Sequence, residues 1–389
     1  RLTIFEVTVP GVTIDNLQFQ VDQSKVNSAI LASATNVSNL TVKSSDINPY
    51  RSAASYATGG YSQRNAISIN YGAFRVGGSV PANLLIQGNT VTFMASGNPP
   101  IGADTYAGFR GAVVTDDGGG TFTGNTFQTI NQDIEARFGS AGDINVTNNN
   151  LNGGGVALAE FNAGAGNITV TGNTFNAAFA NVAAPNTAVL RLKNNYNAKT
   201  TNVSGNTFSN TIWGLSLENY QAVTVNNNSF TPLAGNTSFR HITVNTKEIS
   251  SSSGFYAPFI GLILTNNTFN SSGTVGGTAL AFYNHDNDGP NFGTFSIGTS
   301  GNPNTFANQI ATFIRLDNSV GATSPAPVAF PEYGGSIVST TMACWTPDIN
   351  IENNQFDVGA GLQLPAAMNF AQRTTLETNL FHHPDALCA

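Results

Sequence analysis

Oxygen-bearing side chains that could bind a hard cation occur at two places in this sequence. Asp116 and Asp117 precede three glycines, and Asp286 and Asp288 lie in the segment Asn284-His-Asp-Asn-Asp-Gly289. Carboxylates and loop carbonyls are the ligands that Ca²⁺ prefers. The second segment lacks the terminal bidentate Glu of an EF-hand, so an ordinary polar turn is the alternative at both places. No cofactor is firmly indicated, and Ca²⁺ is the one candidate.

A second set of charged side chains falls at outward positions of short predicted strands. Alternate residues of a strand point to the same face, so these side chains would line one surface. The set consists of Glu135, Arg137, Arg191, Lys193, Glu218, Arg315 and Asp317. A charged groove that grips a sugar chain is one interpretation, and solvated ion pairs of little energetic value are the other. Intervening strands carry Ala, Thr, Asn and Tyr at these positions, which interrupts a continuous charged site.

Composition excludes several classes of protein. Only 10% of the 389 residues are charged, whereas 40% are hydrophobic, so the chain has enough apolar residues for a core. A net charge of −7 with 15 Lys and Arg argues against nucleic acid as a partner. The longest apolar run, Phe259 to Leu264, is too short to span a bilayer. Four His and two Cys, widely spaced, form no zinc pattern.

One repeated stretch indicates how the chain is built. In Asn167-Ile-Thr-Val-Thr-Gly-Asn-Thr-Phe175, alternating apolar residues and threonines predict a half-buried strand, and Gly172-Asn173 predicts a bend. Similar copies recur along most of the chain. They begin at Ile144, Thr201, Val223 and Leu262, and looser copies begin at Leu84, Phe122, Ile349 and Leu376.

A second predicted strand precedes most copies, and loops of variable length separate the two strands. No segment has the length and period of a helix, and tight copies repeat about every 22 to 25 residues. This pattern predicts a solenoid of about twelve coils whose parallel strands stack from coil to coil. The bend asparagines Asn125, Asn173, Asn206, Asn228 and Asn267 should then form ladders of amides, with the phenylalanines stacked inside.

With these motifs the chain resembles the right-handed parallel β-helix (pectin-lyase-like) family, of the bacterial surface or adhesin type. The resemblance covers roughly residues 10 to 381 and rests on Gly-Asn-Thr-Phe at Gly124, Gly172 and Gly205 and on Asn-Asn-x-Phe at Asn227, Asn266 and Asn353. It implies an all-β fold. In lyases and hydrolases of this family, catalytic acids and bases cluster on one strand face, which would assign such a role to the charged set above. The family also contains adhesins and phage tailspikes.

These patterns predict one domain over residues 1–389, either the mature part or a fragment of a longer extracellular protein. Residues 318–347 are predicted to be a long inserted loop, and residues 382–389 a C-terminal tail. Cys344 and Cys388 lie in the last two repeats, where coils would stack. The two alternatives are a disulfide between them and two free thiols. The first coil is expected to present an open strand edge that another segment or subunit covers.

The functional hypothesis is a non-catalytic extracellular or cell-surface module that acts as a stalk, adhesin or filament element. The outward threonines and asparagines of the repeated strand form an uncharged face that could lie against carbohydrate or an identical molecule. The alternatives are a polysaccharide lyase or glycoside hydrolase that uses the charged set, and a phage tailspike-like protein. The expected partners are polysaccharide, identical subunits or adjacent repeats of a longer chain, with no nucleic acid and no membrane span.

Overall fold

Short β-strands make up the described chain, and no helix occurs among these residues. The structure, a computed structural model, describes residues 3–33, 37–50, 64–71, 76, 81–92, 108–116, 118–130, 132–140, 142–153, 159–163, 166–177, 188–194, 200–218, 222–245, 259–284, 292–318, 336–340, 348–352, 354–356, 374–377 and 380–381. The chain divides into two compact units, Arg1–Ala184 with Asn197–Lys199, and Pro185–Tyr196 with Thr200–Ala389. The sequence had predicted one domain, and both units carry the same repeat.

The first unit contains the strands from β1 to β18. They are β1 (Thr3–Val7), β2 (Thr13–Asp15), β3 (Gln18–Asp22), β4 (Ser28–Ala32), β5 (Thr41–Lys43), β6 (Asp46–Tyr50), β7 (Asn65–Ile69), β8 (Leu84–Gln87), β9 (Thr90–Val91), β10 (Gly111–Asp116), β11 (Gly120–Thr123), β12 (Thr126–Phe127), β13 (Gln132–Ser140), β14 (Ile144–Thr147), β15 (Asn150–Leu151), β16 (Ala159–Ala163), β17 (Ile168–Thr171) and β18 (Thr174–Asn176).

The second unit contains the strands from β19 to β36. They are β19 (Leu190–Asn194), β20 (Thr201–Ser204), β21 (Thr207–Thr211), β22 (Trp213–Glu218), β23 (Ala222–Asn226), β24 (Ser229–Pro232), β25 (Arg240–Asn245), β26 (Phe259–Thr265), β27 (Thr268–Phe269), β28 (Gly276–Asn284), β29 (Phe292–Ile297), β30 (Thr305–Phe306), β31 (Ile310–Asn318), β32 (Ser336–Thr340), β33 (Asp348–Glu352), β34 (Gln355–Phe356), β35 (Thr374–Glu377) and β36 (Leu380–Phe381).

Each unit is a parallel β-helix, as the sequence predicted. In the first unit one sheet has the order β1-β4-β7-β10-β13-β16, and we call it the first sheet. The bend sheet, β2-β5-β8-β11-β14-β17, holds the strands that precede the asparagine bends, and the short sheet is β3-β6-β9-β12-β15-β18. The second unit repeats this arrangement with β19, β20 and β21 as the first strands of its three sheets. Strand pairing within the sheets is parallel.

A third strand in each coil was missed in the sequence, which predicted only two. The short sheet consists partly of two-residue strands such as β12 and β15. Two residues show no period, so alternation of apolar and polar side chains cannot reveal such a strand. The Thr-Phe pairs that follow several of the bends are such strands, as in β12, β27 and β30, and their phenylalanines are buried.

The predicted asparagine ladder is present in each unit. Asn125 shows the pattern, because its backbone N–H and its Nδ2 both donate to Asn149 Oδ1, at 3.0 and 2.8 Å. Its Nδ2 also donates to the carbonyl of Ile86 at 2.9 Å. The ladder therefore pairs the buried amides of the bends with one another and with strand-end carbonyls. Its members are Asn89, Asn125, Asn149 and Asn173 in the first unit, and Asn206, Asn228, Asn267, Asn304 and Asn354 in the second.

The residue before the ladder asparagine makes the bend itself. Gly172 has a φ of 68° and Asn227 a φ of 56°, which is the left-handed region that glycine and asparagine tolerate best. The sequence predicted that both Gly172 and Asn173 could adopt a left-handed backbone, but only Gly172 has a positive φ in the structure. Asn173, the ladder residue, is buried and contributes through the hydrogen bonds of its side chain.

Phenylalanines behind the bends form the predicted inner column. In the second unit the rings of Phe208 and Phe230 stack with centroids 4.5 Å apart, and Phe230 and Phe269 follow at 5.3 Å. Phe269 and Phe306 continue the stack at 4.8 Å. In the first unit Phe127 and Phe175 are fully buried, and Leu151 fills the coil between them. The column therefore contributes a large share of the apolar core.

Part of the range 318–347, predicted to be an inserted loop, forms a strand. Residues Ser336–Thr340 are β32, which pairs in parallel with β31 as the next strand of the first sheet. The sequence did not predict this strand because Ser336-Ile-Val-Ser-Thr340 is short and its two apolar residues are adjacent, so it shows no alternation of apolar and polar side chains. The rest of that range and residues 382–389 lie outside the described residues.

The first coil exposes several apolar side chains. Strands β1, β2 and β3 stand at the ends of the three sheets. The exposed side chains are Ile4, Phe5, Val9 and Leu17. Leu17 occupies the ladder position of this coil, and its N–H donates to Ser45 Oγ at 3.2 Å. The amide ladder of the first unit therefore does not extend to this coil.

Candidate functional site

The outward side chains of β11, β14 and β17 in the bend sheet form an uncharged polar surface, which we call the Thr/Asn face, whereas β2 and β5 of the same sheet carry the ion pair Asp15–Lys43 at 3.1 Å. In the first unit neighbouring strands lie about 4.8 Å apart and alternate residues about 6.6 Å apart, so the side chains form a regular grid. Thr147 Oγ1 donates to Thr123 Oγ1 at 2.8 Å across two strands. On β11, β14 and β17 the grid consists of half-buried Thr121, Asn145 and Thr169 in one row and Thr123, Thr147 and Thr171 in the other.

The second unit continues the same kind of surface on its own bend sheet. One row consists of Asn202, Thr224, Ile263 and Ser296, and the other of Ser204, Asn226 and Thr265. Thr265 Oγ1 donates to Asn226 Oδ1 at 3.1 Å. Ile263 interrupts the polar row with a side chain that is 47% exposed. These rows agree with the outward positions that the sequence predicted.

A buried polar cluster lies at the first sheet of the first unit. Glu135 Oε2 accepts hydrogen bonds from Arg110 Nη1 at 3.2 Å and from the hydroxyl of Tyr71 at 3.3 Å. Arg110 Nη1 also donates to the Tyr71 hydroxyl at 2.8 Å, and Nη2 donates to Gln132 Oε1 at 3.0 Å. Glu135 is only 3% exposed, and a buried carboxylate is unfavourable unless it is paired. The hydrogen bonds from Arg110 and Tyr71 provide this compensation.

Glu135 is therefore not a solvated side chain, whereas the side chain of Arg137 lies outside the described part of the structure. One partner of Glu135 is Arg110, which the sequence did not single out because it precedes β10 and belongs to no alternating pattern. The register also places Glu160 directly beside Glu135 on the neighbouring strand. Arg137 is the register partner of Asp116. The alternation of side chains predicted that Glu135 lies on the outer face of its strand. Alternation cannot show whether residues of other coils cover that face.

In the second unit the candidate charged positions are spread across the first sheet. Arg191 is buried, and the register pairs Lys193 with Glu218 on adjacent strands. Glu218 and Asp317 belong to the same column but are separated by three strand spacings, or about 14 Å. Arg315 lies in the column of Arg191, four spacings away. The backbone spacing of Glu218 and Asp317 exceeds the separation of two carboxylates that act on one glycosidic bond.

The calcium and cysteine candidates fall mostly outside the described residues. Asp117, Asp286 and Asp288 lie there, as do Cys344 and Cys388. Asp116 is described and lies on β10, where it is 1% exposed. Among the residues that the structure describes, no group of three or more His, Cys, Asp or Glu side chains could hold a metal ion.

Two buried ionisable groups were not found from the sequence. His241 lies in the core of the second unit, where its ring is 4.8 Å from that of Phe239 and 5.8 Å from those of Phe230 and Phe269. Its Nε2 is 2.8 Å from the carbonyl of Asn270. In the first unit, Asp133 accepts a hydrogen bond from Thr129 Oγ1 at 2.9 Å. Asp133 precedes the inward Ile134, and His241 precedes the inward Ile242. The other strands of the first sheet carry mostly small or apolar residues at the position of Asp133 and His241.

Burial determines the protonation of both groups. Desolvation lowers the pKa of His241 from 6.5 to about 4, although the hydrogen bond to Asn270 opposes this change. Desolvation raises the pKa of Asp133 well above its ordinary value, against the hydrogen bonds from Thr129 and nearby backbone N–H groups. His241 is therefore neutral at pH 7, and its Nε2–H donates to the Asn270 carbonyl.

The buried His241 should make the protein less stable in mild acid. Below pH 6.5 the unfolded chain binds a proton at this histidine that the folded chain does not bind until about pH 4. The free energy of unfolding should therefore fall by about 3 kcal/mol between pH 7 and pH 4 on account of this group. Urea denaturation across this range should show that His241→Leu removes this part of the pH dependence. Phe239→Leu, which changes a neighbouring ring without a titrating group, should retain it, and equal pH dependence in all three proteins would contradict the prediction.

Comparison with known proteins gives no further identification. No family model, no curated protein and no solved structure matches the chain. No helix among the described residues is long and apolar enough to cross a membrane.

Proposed function

We propose that the protein is a non-catalytic β-helical module of an extracellular or cell-surface protein, and that its Thr/Asn face binds carbohydrate. In this proposal it belongs to the adhesin-like branch of the pectin-lyase-like β-helices and acts as a stalk that carries a binding surface. The observation that carries the proposal is the regular, uncharged grid of half-exposed hydroxyl and amide groups on the bend sheet.

The chemistry of this surface suits a neutral polysaccharide. Hydroxyl and amide groups both donate and accept hydrogen bonds, so they can pair with sugar hydroxyls in several orientations. The sheet holds their backbone positions fixed, which lowers the entropy lost on binding. On β11, β14 and β17, successive coils present hydroxyl or amide groups at equivalent positions, so a chain of repeating sugars can contact several coils at once.

The binding surface can be tested with two variants of the same coil. Thr169 lies on the Thr/Asn face, whereas Thr174 is exposed on the short sheet. Thr169→Arg places a bulky charge among the hydroxyls and should reduce retention on insoluble cellulose, mannan or β-1,3-glucan at least threefold. Thr174→Arg should leave retention unchanged. Equal retention by both variants, or no retention of the native protein on any neutral polysaccharide, would refute the proposal.

A second candidate function is a glycoside hydrolase or polysaccharide lyase that uses the buried cluster at Glu135. It is favoured by one observation, the contact of Glu135 with Arg110 and Tyr71 beside a second acidic position, Glu160. A pair of carboxyl groups, one as acid and one as base or nucleophile, is what most glycoside hydrolysis requires. Release of new reducing or unsaturated sugar ends that is lost in Glu135→Gln would support this function.

A further inference from the structure

A shallow groove interrupts the Thr/Asn face of the second unit. It has a volume of about 310 Å³, which lies at the lower end of the range for small-molecule sites. The groove arises because Ala222 and Gly261 are register partners on β23 and β26, so two outward positions side by side carry almost no side chain. Their larger neighbours Thr224 and Ile263 then stand as walls.

The lining of the groove combines an apolar wall with hydroxyl groups. Ile263 is 47% exposed and offers an aliphatic surface, whereas Thr200, Thr224 and Ser296 carry hydroxyls at the edge. None of the lining residues is charged. A ligand with this complementarity is neutral, with an apolar face and several hydroxyls, which describes a pyranose ring and excludes a uronic acid as the preferred unit.

The floor of the groove is formed by the backbone of the sheet. Thr201, Val223 and Leu262 also line the groove, but they are register partners in the inward column of the bend sheet, so their side chains point into the core. The hydroxyl groups that a ligand can reach are therefore those at the edge of the groove.

We infer that this groove is a subsite for one neutral sugar ring of a bound polysaccharide, with the ring packed on Ile263 and hydrogen-bonded to the surrounding hydroxyls. The inference rests on the proposed carbohydrate-binding function, which it makes specific by naming the position and the class of sugar. Short neutral oligosaccharides should therefore bind at the second unit, even though longer chains contact more of the Thr/Asn face.

The subsite can be tested with trisaccharides and a pair of matched variants. Cellotriose, mannotriose, laminaritriose and trigalacturonate would be titrated into the native protein by isothermal calorimetry. We expect at least one neutral trisaccharide to bind and trigalacturonate not to bind. Ile263→Arg and Ala222→Gln, both at exposed positions, should weaken this binding at least tenfold. Val275→Arg introduces the same charge at another exposed apolar residue of the second unit and should leave it unchanged.

The outcomes separate the subsite from the general function. Retention on neutral polysaccharide that persists in Ile263→Arg and Ala222→Gln, with unchanged trisaccharide affinity, would overturn the subsite and leave the proposed function intact. Tighter binding of trigalacturonate than of every neutral trisaccharide would also overturn it. Failure of the native protein to bind any neutral polysaccharide or trisaccharide would overturn both.

Discussion

Replacing Asn149 by alanine should lower the free energy of unfolding by about 3 to 5 kcal/mol, because it removes the middle of a buried ladder. Asn149 Oδ1 accepts from the backbone N–H and Nδ2 of Asn125, at 3.0 and 2.8 Å. Its Nδ2 donates at 2.9 Å both to the Phe122 carbonyl and to Asn173 Oδ1. Alanine would leave two donors and one carbonyl buried without these partners.

The three consecutive asparagines of this bend provide the controls. Asn150 is exposed, so Asn150→Ala should change stability by less than about 0.5 kcal/mol. Asn148 has a φ of 56°, and Asn148→Gly should be tolerated because glycine adopts this conformation readily. Guanidinium denaturation followed by far-ultraviolet circular dichroism would measure all three. Equal stability of Asn149→Ala and Asn150→Ala would show that the ladder does not stabilise the fold.

The second large effect is expected at Phe230, in the middle of the aromatic column of the second unit. Its ring stacks on Phe208 at 4.5 Å and on Phe269 at 5.3 Å, and it is fully buried. Phe230→Ala removes this apolar surface and leaves a cavity that neighbouring coils cannot close, so we expect a loss of about 3 to 5 kcal/mol. Phe230→Leu keeps most of the volume and should cost about 1 to 2 kcal/mol.

Calorimetric or denaturant unfolding of these two variants would test the packing argument. The order of stability should be native protein, Phe230→Leu, then Phe230→Ala. A loss below about 1 kcal/mol in Phe230→Ala would contradict the assignment of this ring to the core, because fully buried phenylalanines rarely cost so little to truncate.

The repeated part of the fold could be predicted because each coil repeats the same local rules. Gly172 and Asn227 mark left-handed bends, Asn173 and Asn228 the ladder, and the following phenylalanine the inner column. Any one copy is ambiguous, but stacking requires the copies to occupy equivalent positions. The second strand was predicted for the same reason, since its alternation recurs in most coils.

Burial on the outer face of the first sheet could not be predicted. Alternation identified Glu135 as outward, but its burial depends on Arg110 and Tyr71, which lie in other coils. His241 was missed because a single histidine before an inward isoleucine carries no pattern. The groove beside Ile263 depends on Ala222 and Gly261 being register partners, and register follows from loop lengths that the sequence leaves open.

The most direct test of the proposed function is to measure retention and cleavage in the same sample. Native protein would be incubated with insoluble neutral glucan and mannan and with soluble polygalacturonate, and bound protein, reducing ends and unsaturated ends would be measured over time. We expect retention on at least one neutral polysaccharide, no newly formed ends on any of the three, and a loss of retention in Thr169→Arg. Steady release of sugar ends that Glu135→Gln abolishes would contradict it and identify an enzyme.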